Sequence, residues 1–376
     1  MLSIYIHIPY CKKACYYCDF HFSAYLKNKD SFLKALQWEI VSASEQFKNS
    51  RVQTIYFGGG TPSVLSYEEI TSLFDILYKH YQINTDVEIS FEANPDDLTP
   101  EYLKQLKSTP VNRLSIGVQS LNPEILTFLN RRHNQNQAIE CIQLAQDKGF
   151  ENLTVDMIYG IPGLKISDIE DFLNFTFLCN IPHLSAYHLG IEEKTVFYRF
   201  LQQKKIHPID EDESLKQFSF ITGLLQENGF EHYEISNFCK NQQYSRHNLS
   251  YWQQKEYIGF GPSAHSYFNG KRYWNIRNNK KYIDNILLGN YHLNYEEEQI
   301  DSLTKFNDYL ITSLRTKWGL DLVYTEKTFG NSVSKYLLEN CQKFFQSGHL
   351  FQKGNSVMLT QKGMFISDYI FTDLIR

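Results

Sequence analysis

The sequence predicts an α/β protein, a partial (β/α)6 TIM-like barrel followed by a smaller, mainly helical, winged-helix-like domain. Three observations predict it. Six short runs rich in β-branched and aromatic residues alternate with helical patterns over the first 190 residues. Each of those runs ends in chemically distinctive residues, and from about Asp301 the pattern changes to helix, helix, hairpin, helix. Repeated strand, helix, strand order implies right-handed crossovers and a parallel sheet. Six units are fewer than the eight that close a barrel, so the sheet is expected to stay open.

The predicted strands are Ile4 to Ile8, Thr54 to Phe57, Val87 to Phe91, Arg113 to Gly117, Thr154 to Ile158 and Leu184 to Leu189. Helix starts are marked by Ser66 before Tyr-Glu-Glu-Ile, by Thr99-Pro100-Glu101 and by Ser167 before Asp-Ile-Glu. Each hydroxyl can accept from the free amides of a first turn. A helix from Glu211 to Asn228 stops at Gly229. Glu231 to Tyr267 is dense in polar and aromatic residues and reads as loops and short strands over a pocket. The tail divides into helices Leu303 to Lys317 and Val333 to Phe345, a turn at Gly354-Asn355, and a helix Phe365 to Ile375. The predicted organisation is a barrel domain over 1–230, a connecting segment over 231–300 and a C-terminal domain over 301–376.

A chain of 376 residues is too long for one ordinary core, which agrees with one large and one small domain. A net charge of −5 gives no electrostatic case for nucleic acid, and nine Lys/Arg against seven Asp/Glu in 301–376 argue against a DNA-binding tail. No charged leader precedes Ser3 to Ile8, and no run of 18 apolar residues occurs, so a cytoplasmic location without a membrane anchor is expected. Seven cysteines in 376 residues are too sparse, and odd in number, for a disulfide framework.

The chemistry concentrates at the strand ends. Cys11, Cys15 and Cys18 follow the first strand, Gly58-Gly59-Gly60-Thr61-Pro62 the second, and Glu92 with Asn94 the third. Gln119 follows the fourth strand, Asp156 lies within the fifth, and Tyr187 and His188 within the sixth. In barrel-like parallel sheets these ends form one rim, so residues far apart in sequence meet over one pocket. Three thiolates on one short loop can hold a 4Fe-4S cluster with one iron left open to an outside molecule. Zinc held with His7 or His21 is the alternative, although structural zinc usually takes two separated ligand pairs. The glycine run lets a ligand approach the backbone or simply forms a tight turn. It is neither a P-loop nor a dinucleotide fingerprint.

Together the cysteine spacing and Gly-Gly-Gly-Thr-Pro resemble the radical S-adenosylmethionine (SAM) superfamily. That resemblance implies a 4Fe-4S cluster whose open iron takes the amino and carboxylate groups of SAM, and reductive cleavage to methionine and a 5'-deoxyadenosyl radical. Further runs, Tyr5-Ile-His-Ile-Pro9, Tyr56 to Ser63, Phe91-Glu-Ala-Asn-Pro95, Ser115-Ile-Gly-Val-Gln-Ser120 and Val155 to Pro162, are similar to the oxygen-independent coproporphyrinogen III oxidase family over most of the chain. Carried over by position, Tyr5, Cys11, Cys15, Cys18, Gly59, Gly60, Thr61, Glu92, Gln119, Arg131 and Asp156 would contact cluster or SAM. Arg131 suits a carboxylate, and the acids and amide suit an ammonium and ribose hydroxyls.

One departure redirects the expected function. The oxidases carry a fourth cysteine two residues after the third, where this chain has Phe20. Cys18-Asp19-Phe20 resembles the HemW branch, whose members bind heme and are implicated in its delivery. The resemblance implies a heme chaperone serving respiratory proteins at a membrane surface, with coproporphyrinogen III dehydrogenase as the alternative oxidoreductase activity. His247-Asn248-Leu-Ser-Tyr251-Trp252 resembles the heme region of that branch. It makes His247 a candidate axial ligand, with Tyr251 and Trp252 covering a porphyrin face. The other reading packs His247 and Trp252 structurally behind the barrel mouth, with His265, His232 and Cys239 as further ligand candidates. Whether the chain forms a homodimer stays open.

Overall fold

The computed structural model describes residues 1–376. Its main sheet contains β1 (Leu2–Ile8), β2 (Arg51–Gly59), β3 (Gln82–Ala93), β4 (Arg113–Gln119), β5 (Leu153–Tyr159) and β6 (His183–His188) as neighbours in sequence order. All five pairings between them are parallel. The faces turned toward the helices carry Ile4, Ile6, Ile55, Phe57, Ile89, Phe91, Leu114 and Ile116, all fully buried. Burying such side chains contributes on the order of 1.5–3 kcal/mol each, which drives the crossover helices onto the sheet.

Helix starts follow side-chain chemistry. Ser66 and Glu69 form a reciprocal capping box at Tyr67–His80, and the Thr99 hydroxyl accepts from the Tyr102 amide at Pro100–Lys107. Ser167 does not cap its helix. The helix runs from Ile166 to Leu178, so Ser167 lies in its first turn, while the Asp168 carboxylate accepts from the Lys165 amide at 2.9 Å. The helix Glu211–Glu227 is capped by Asp210 and ends before Gly229, whose φ of +79° suits a residue without Cβ.

The sheet extends at both edges in ways the alternation pattern does not reveal. Beside β6 lie β8 (Asn237–Cys239) and β7 (Glu231–Glu234), both antiparallel. Beside β1 lies β9 (Tyr257–Phe260), parallel to it with Ile4 opposite Ile258. β10 (His265–Phe268), β11 (Lys271–Asn275) and β12 (Tyr295–Gln299) complete an open sheet of 12 strands. The segment expected to hold only loops and short strands also contains a helix, Arg246–Trp252, capped by Ser245.

The tail has its own core, built around Phe306, Leu310, Leu337, Phe344 and Ile370 and separate from the large barrel core. Helices Ser302–Leu314 and Asn331–Gln346 flank a three-stranded antiparallel sheet of β13 (Leu320–Asp321), β15 (Ser356–Leu359) and β14 (Leu350–Lys353), the winged-helix-like arrangement predicted. Two additional helices appear, Leu322–Phe329 after β13 and the short Gln361–Phe365 after β15, and the last predicted helix runs from Ser367 to Leu374. Arg315 and Lys317 tie this unit back to Glu234 and Glu231. No helix is long and apolar enough to cross a membrane.

Candidate functional site

The cysteine loop is held by backbone bonds before any cofactor is considered. The Cys11 amide donates to the Ser23 carbonyl at 3.1 Å and the Ser23 amide to the Pro9 carbonyl at 2.9 Å, closing the loop on itself. The Gly60 amide donates to Ile8 at 2.9 Å and the Thr61 amide to Tyr10 at 2.8 Å, fastening the glycine loop beneath it. From the far side of the rim, Asn130 donates to the Ala14 carbonyl at 2.7 Å. Buried Asp97 accepts from Lys12 at 2.6 Å, Ser63 at 2.8 Å and Arg132 at 2.9 Å, so one carboxylate joins three loops.

Cys11, Cys15 and Cys18 are free thiols lining one cavity of about 490 Å³. The Thr61 hydroxyl donates to the Cys11 Sγ at 3.2 Å, and Arg131 Nη1 to the Cys15 Sγ at 3.3 Å. Burial pushes the Cys11 thiol up to about 12 and the Cys18 thiol up to about 11. Metal binding at these sulfurs must therefore displace protons. Arg131 Nη2 donates to the Asn94 Oδ1 at 2.7 Å and the Gly117 carbonyl at 2.5 Å, while its buried Nε has no partner.

Two acids share the cavity. Glu92 accepts from the Tyr56 hydroxyl at 2.8 Å, yet desolvation pushes it up to about 7; Asp156, near Ser115, is pushed up to about 6 for the same reason. An enclosed cation would relieve that penalty, which makes the pair a cation-seeking wall. Gln119 also lines the cavity, at φ +69°, a left-handed conformation that costs a non-glycine residue about 1–3 kcal/mol. The glycines have a reason the sequence did not reveal. A Cβ on Gly60 would come within 2.7 Å of the Ile8 and Tyr10 carbonyls, and one on Gly59 within 2.5 Å of the His7 ring. Their smallness is needed first for packing loop against loop.

The structure thus gathers the three cysteines, Gly59, Gly60, Thr61, Glu92, Gln119, Arg131 and Asp156 around one cavity. Tyr5 is not among them. It lines an adjoining cavity of about 580 Å³, and its hydroxyl is 3.1 Å from His7 Nδ1. His247 lines neither cavity. It is 1% exposed, with Nδ1 2.7 Å from the Thr54 hydroxyl and Nε2 2.8 Å from the Tyr251 hydroxyl. Desolvation lowers its pKa to about 3, so the ring is neutral. Its amide donates to Glu88, which faces the buried Arg113, and Tyr56 stands 5.0 Å from it, centroid to centroid. Both ring nitrogens thus have hydroxyl partners, which agrees with the packed reading of His247; Tyr251 and Trp252 of the same run do reach the second cavity. Sequence reasoning missed Ser115 and Gly117, which join Gln119 on the cavity side of β4 through the two-residue period of a strand. It also missed the Asp97 hub.

A partial barrel whose first loop brings three thiols to the rim defines a radical SAM protein, and the model of the Radical SAM superfamily matches residues 5–176. The chain is 32% identical to the heme chaperone HemW of Bacillus subtilis over 375 residues, covering 99% of this chain and 98% of that protein. It is 30% identical to heme chaperone HemW of Mycobacterium tuberculosis, covering 99% and 94%. The chain belongs to the HemW family. Its fold is shared with coproporphyrinogen III oxidase (HemN) of Escherichia coli, a radical SAM enzyme, at TM-score 0.85 and 23% identity, covering 100% of this chain and 90% of that one.

Membership implies a 4Fe-4S cluster and SAM, and the residues fit both. The donors are three unpaired thiols, the soft ligands such a cluster takes, and they share a cavity with an orphaned guanidinium nitrogen and two raised acids. No three His, Cys, Asp or Glu side chains converge closely enough to hold a metal ion.

Proposed function

We propose that this chain is a heme chaperone, binding a 4Fe-4S cluster, SAM and heme and passing heme to respiratory proteins through transient contact with a membrane surface. The observation that carries the reading is the full-length similarity to heme chaperones at 32% identity. Phe20 agrees with it, standing where the oxidases carry their extra cysteine and bordering both cavities. We assign Cys11, Cys15 and Cys18 to the cluster, and Gly59, Gly60, Thr61, Glu92, Gln119, Arg131 and Asp156 to the surroundings of SAM. When bound, the cluster supplies an electron that SAM can accept. The chain's own side chains set the scene for that exchange: Arg131 neutralises charge near Cys15, Glu92 and Asp156 attract a cation, and the stitched loops hold the three thiols at one rim.

The test is anaerobic reconstitution followed by heme titration and a coproporphyrinogen III decarboxylation assay on the same preparation. Stoichiometric heme binding without porphyrinogen turnover is expected. Formation of protoporphyrinogen in proportion to 5'-deoxyadenosine would overturn the chaperone reading in favour of the dehydrogenase.

A further inference from the structure

The second cavity lies between β1, the β9–β10 corner and the helix Ser302–Leu314, and it adjoins the cysteine cavity through Phe20, which lines both. Its volume of about 580 Å³ falls in the range of cofactor sites. Its walls combine aromatic faces, histidines and cations. Tyr251, Trp252, Tyr257 and Phe20 supply flat apolar surface, and the buried indole N–H of Trp252 has no hydrogen-bond partner.

Three histidines line this cavity: His7 is engaged at both ring nitrogens, His21 at one, and His265 at neither. His7 has Nδ1 3.1 Å from the Tyr5 hydroxyl and Nε2 2.8 Å from the His21 carbonyl, while His21 Nε2 lies 2.6 Å from the Asn279 side chain. His265 is exposed to the cavity, its ring stacks against Trp274, and neither ring nitrogen has a hydrogen-bond partner. The backbone that presents it is fixed. The Gly261 amide donates to Glu39 at 2.7 Å, the Asn275 amide to the Ala264 carbonyl at 2.8 Å, and Ser263 is held at φ +65°. A free imidazole on a rigid mount is what an iron ligand requires.

The charges are arranged for an anionic edge. Asp308 is paired with Arg272, which also meets Glu298, and Asp19 is paired with Arg277. Lys305 lines the same cavity without a carboxylate partner. Resting on the heme-binding reading above, we propose that heme occupies this second cavity with His265 as axial ligand to its iron and Lys305 facing a propionate. The occupant meets aromatic faces on its plane, a neutral nitrogen at its metal and a cation at its rim. His247 then supports the site from behind, through the Tyr251 hydroxyl, and does not touch the iron.

The experiment titrates ferric heme into anaerobically reconstituted protein, following the Soret band and the iron spin state, with cluster absorbance as the control for folding. His265→Ala is expected to weaken heme binding by at least about tenfold, the loss seen when even an outer partner of a metal ligand is removed, and to shift the Soret band while cluster content holds. His265→Met is expected to restore binding with a different Soret position and a higher reduction potential, which a packing role would not produce. Lys305→Glu is expected to weaken binding without moving the band. Unaltered affinity and spectrum in His265→Ala, with loss in His21→Ala or His247→Ala, would overturn the assignment while leaving heme binding intact. Failure of the unmodified protein to bind heme would instead overturn the chaperone reading, and this site with it.

Discussion

The two adjoining cavities are built by different means. The cysteine cavity is assembled from the ends of β1 to β6, consecutive strands of one parallel wall, with Tyr187 and His188 supplied by the sixth, and strand residues reach it at a two-residue period. The second cavity is assembled from pieces far apart in the chain: Tyr5, the loop residues Asp19 to His21, Tyr251 and Trp252, His265 and Lys305. Parallel neighbours make a site whose members can be read from strand endings. A site made by long-range packing shows no comparable pattern, because nothing in Tyr257-Ile-Gly-Phe260 announces that it will pair with Ser3 to Ile6.

The sharpest way to break this division is to remove a thiol. Cys15→Ala should abolish cluster assembly, measured as iron and sulfide content, because no nearby cysteine can replace it, while heme titration of the same variant stays within about twofold of the parent. Loss of heme binding together with the cluster would mean that the cavities form one functional site. A smaller effect separates the acid wall from its surroundings. With Glu92 raised to about 7, SAM affinity should fall roughly tenfold per pH unit below 7 and level off above it, as expected when a cation needs the ionised form. Glu92→Gln should bind SAM more weakly and flatten that profile. In the ligand-free protein the sign reverses: the protonated acid favours the fold below pH 4.5, and that contribution is lost as pH rises through about 7. Smallest is Gly60→Ala, expected to lower stability by about 1–3 kcal/mol through the clash with the Ile8 and Tyr10 carbonyls. Thermal unfolding checks this, and an unchanged midpoint would show that the loops can separate at no cost.

Much of the first cavity was legible because its residues sit in apolar runs with abrupt polar ends, as in Ile4 to Cys11 or Val87 to Asn94. The helix Arg246–Trp252 was not, since its stability comes from tertiary partners: the His247 amide on Glu88, and its ring against Thr54 and Tyr251. The same burial that makes His247 look important in the sequence occupies both of its ring nitrogens with protein partners. Ser167 was misplaced as a cap because the helix begins before it, at Ile166, where Asp168 in the first turn accepts from the Lys165 amide. His265 was only one of several candidate histidines until the partners of its neighbours could be counted.

Phe20 has a consequence larger than its role as a sequence marker. It is 71% exposed, and it borders both compartments. A single aromatic partition occupies one rotamer at a time, so the compartments share a degree of freedom. With SAM and heme placed as proposed above, any preference for one Phe20 orientation exerted by one ligand would be returned with equal magnitude by the other, since coupling between two binding equilibria is reciprocal.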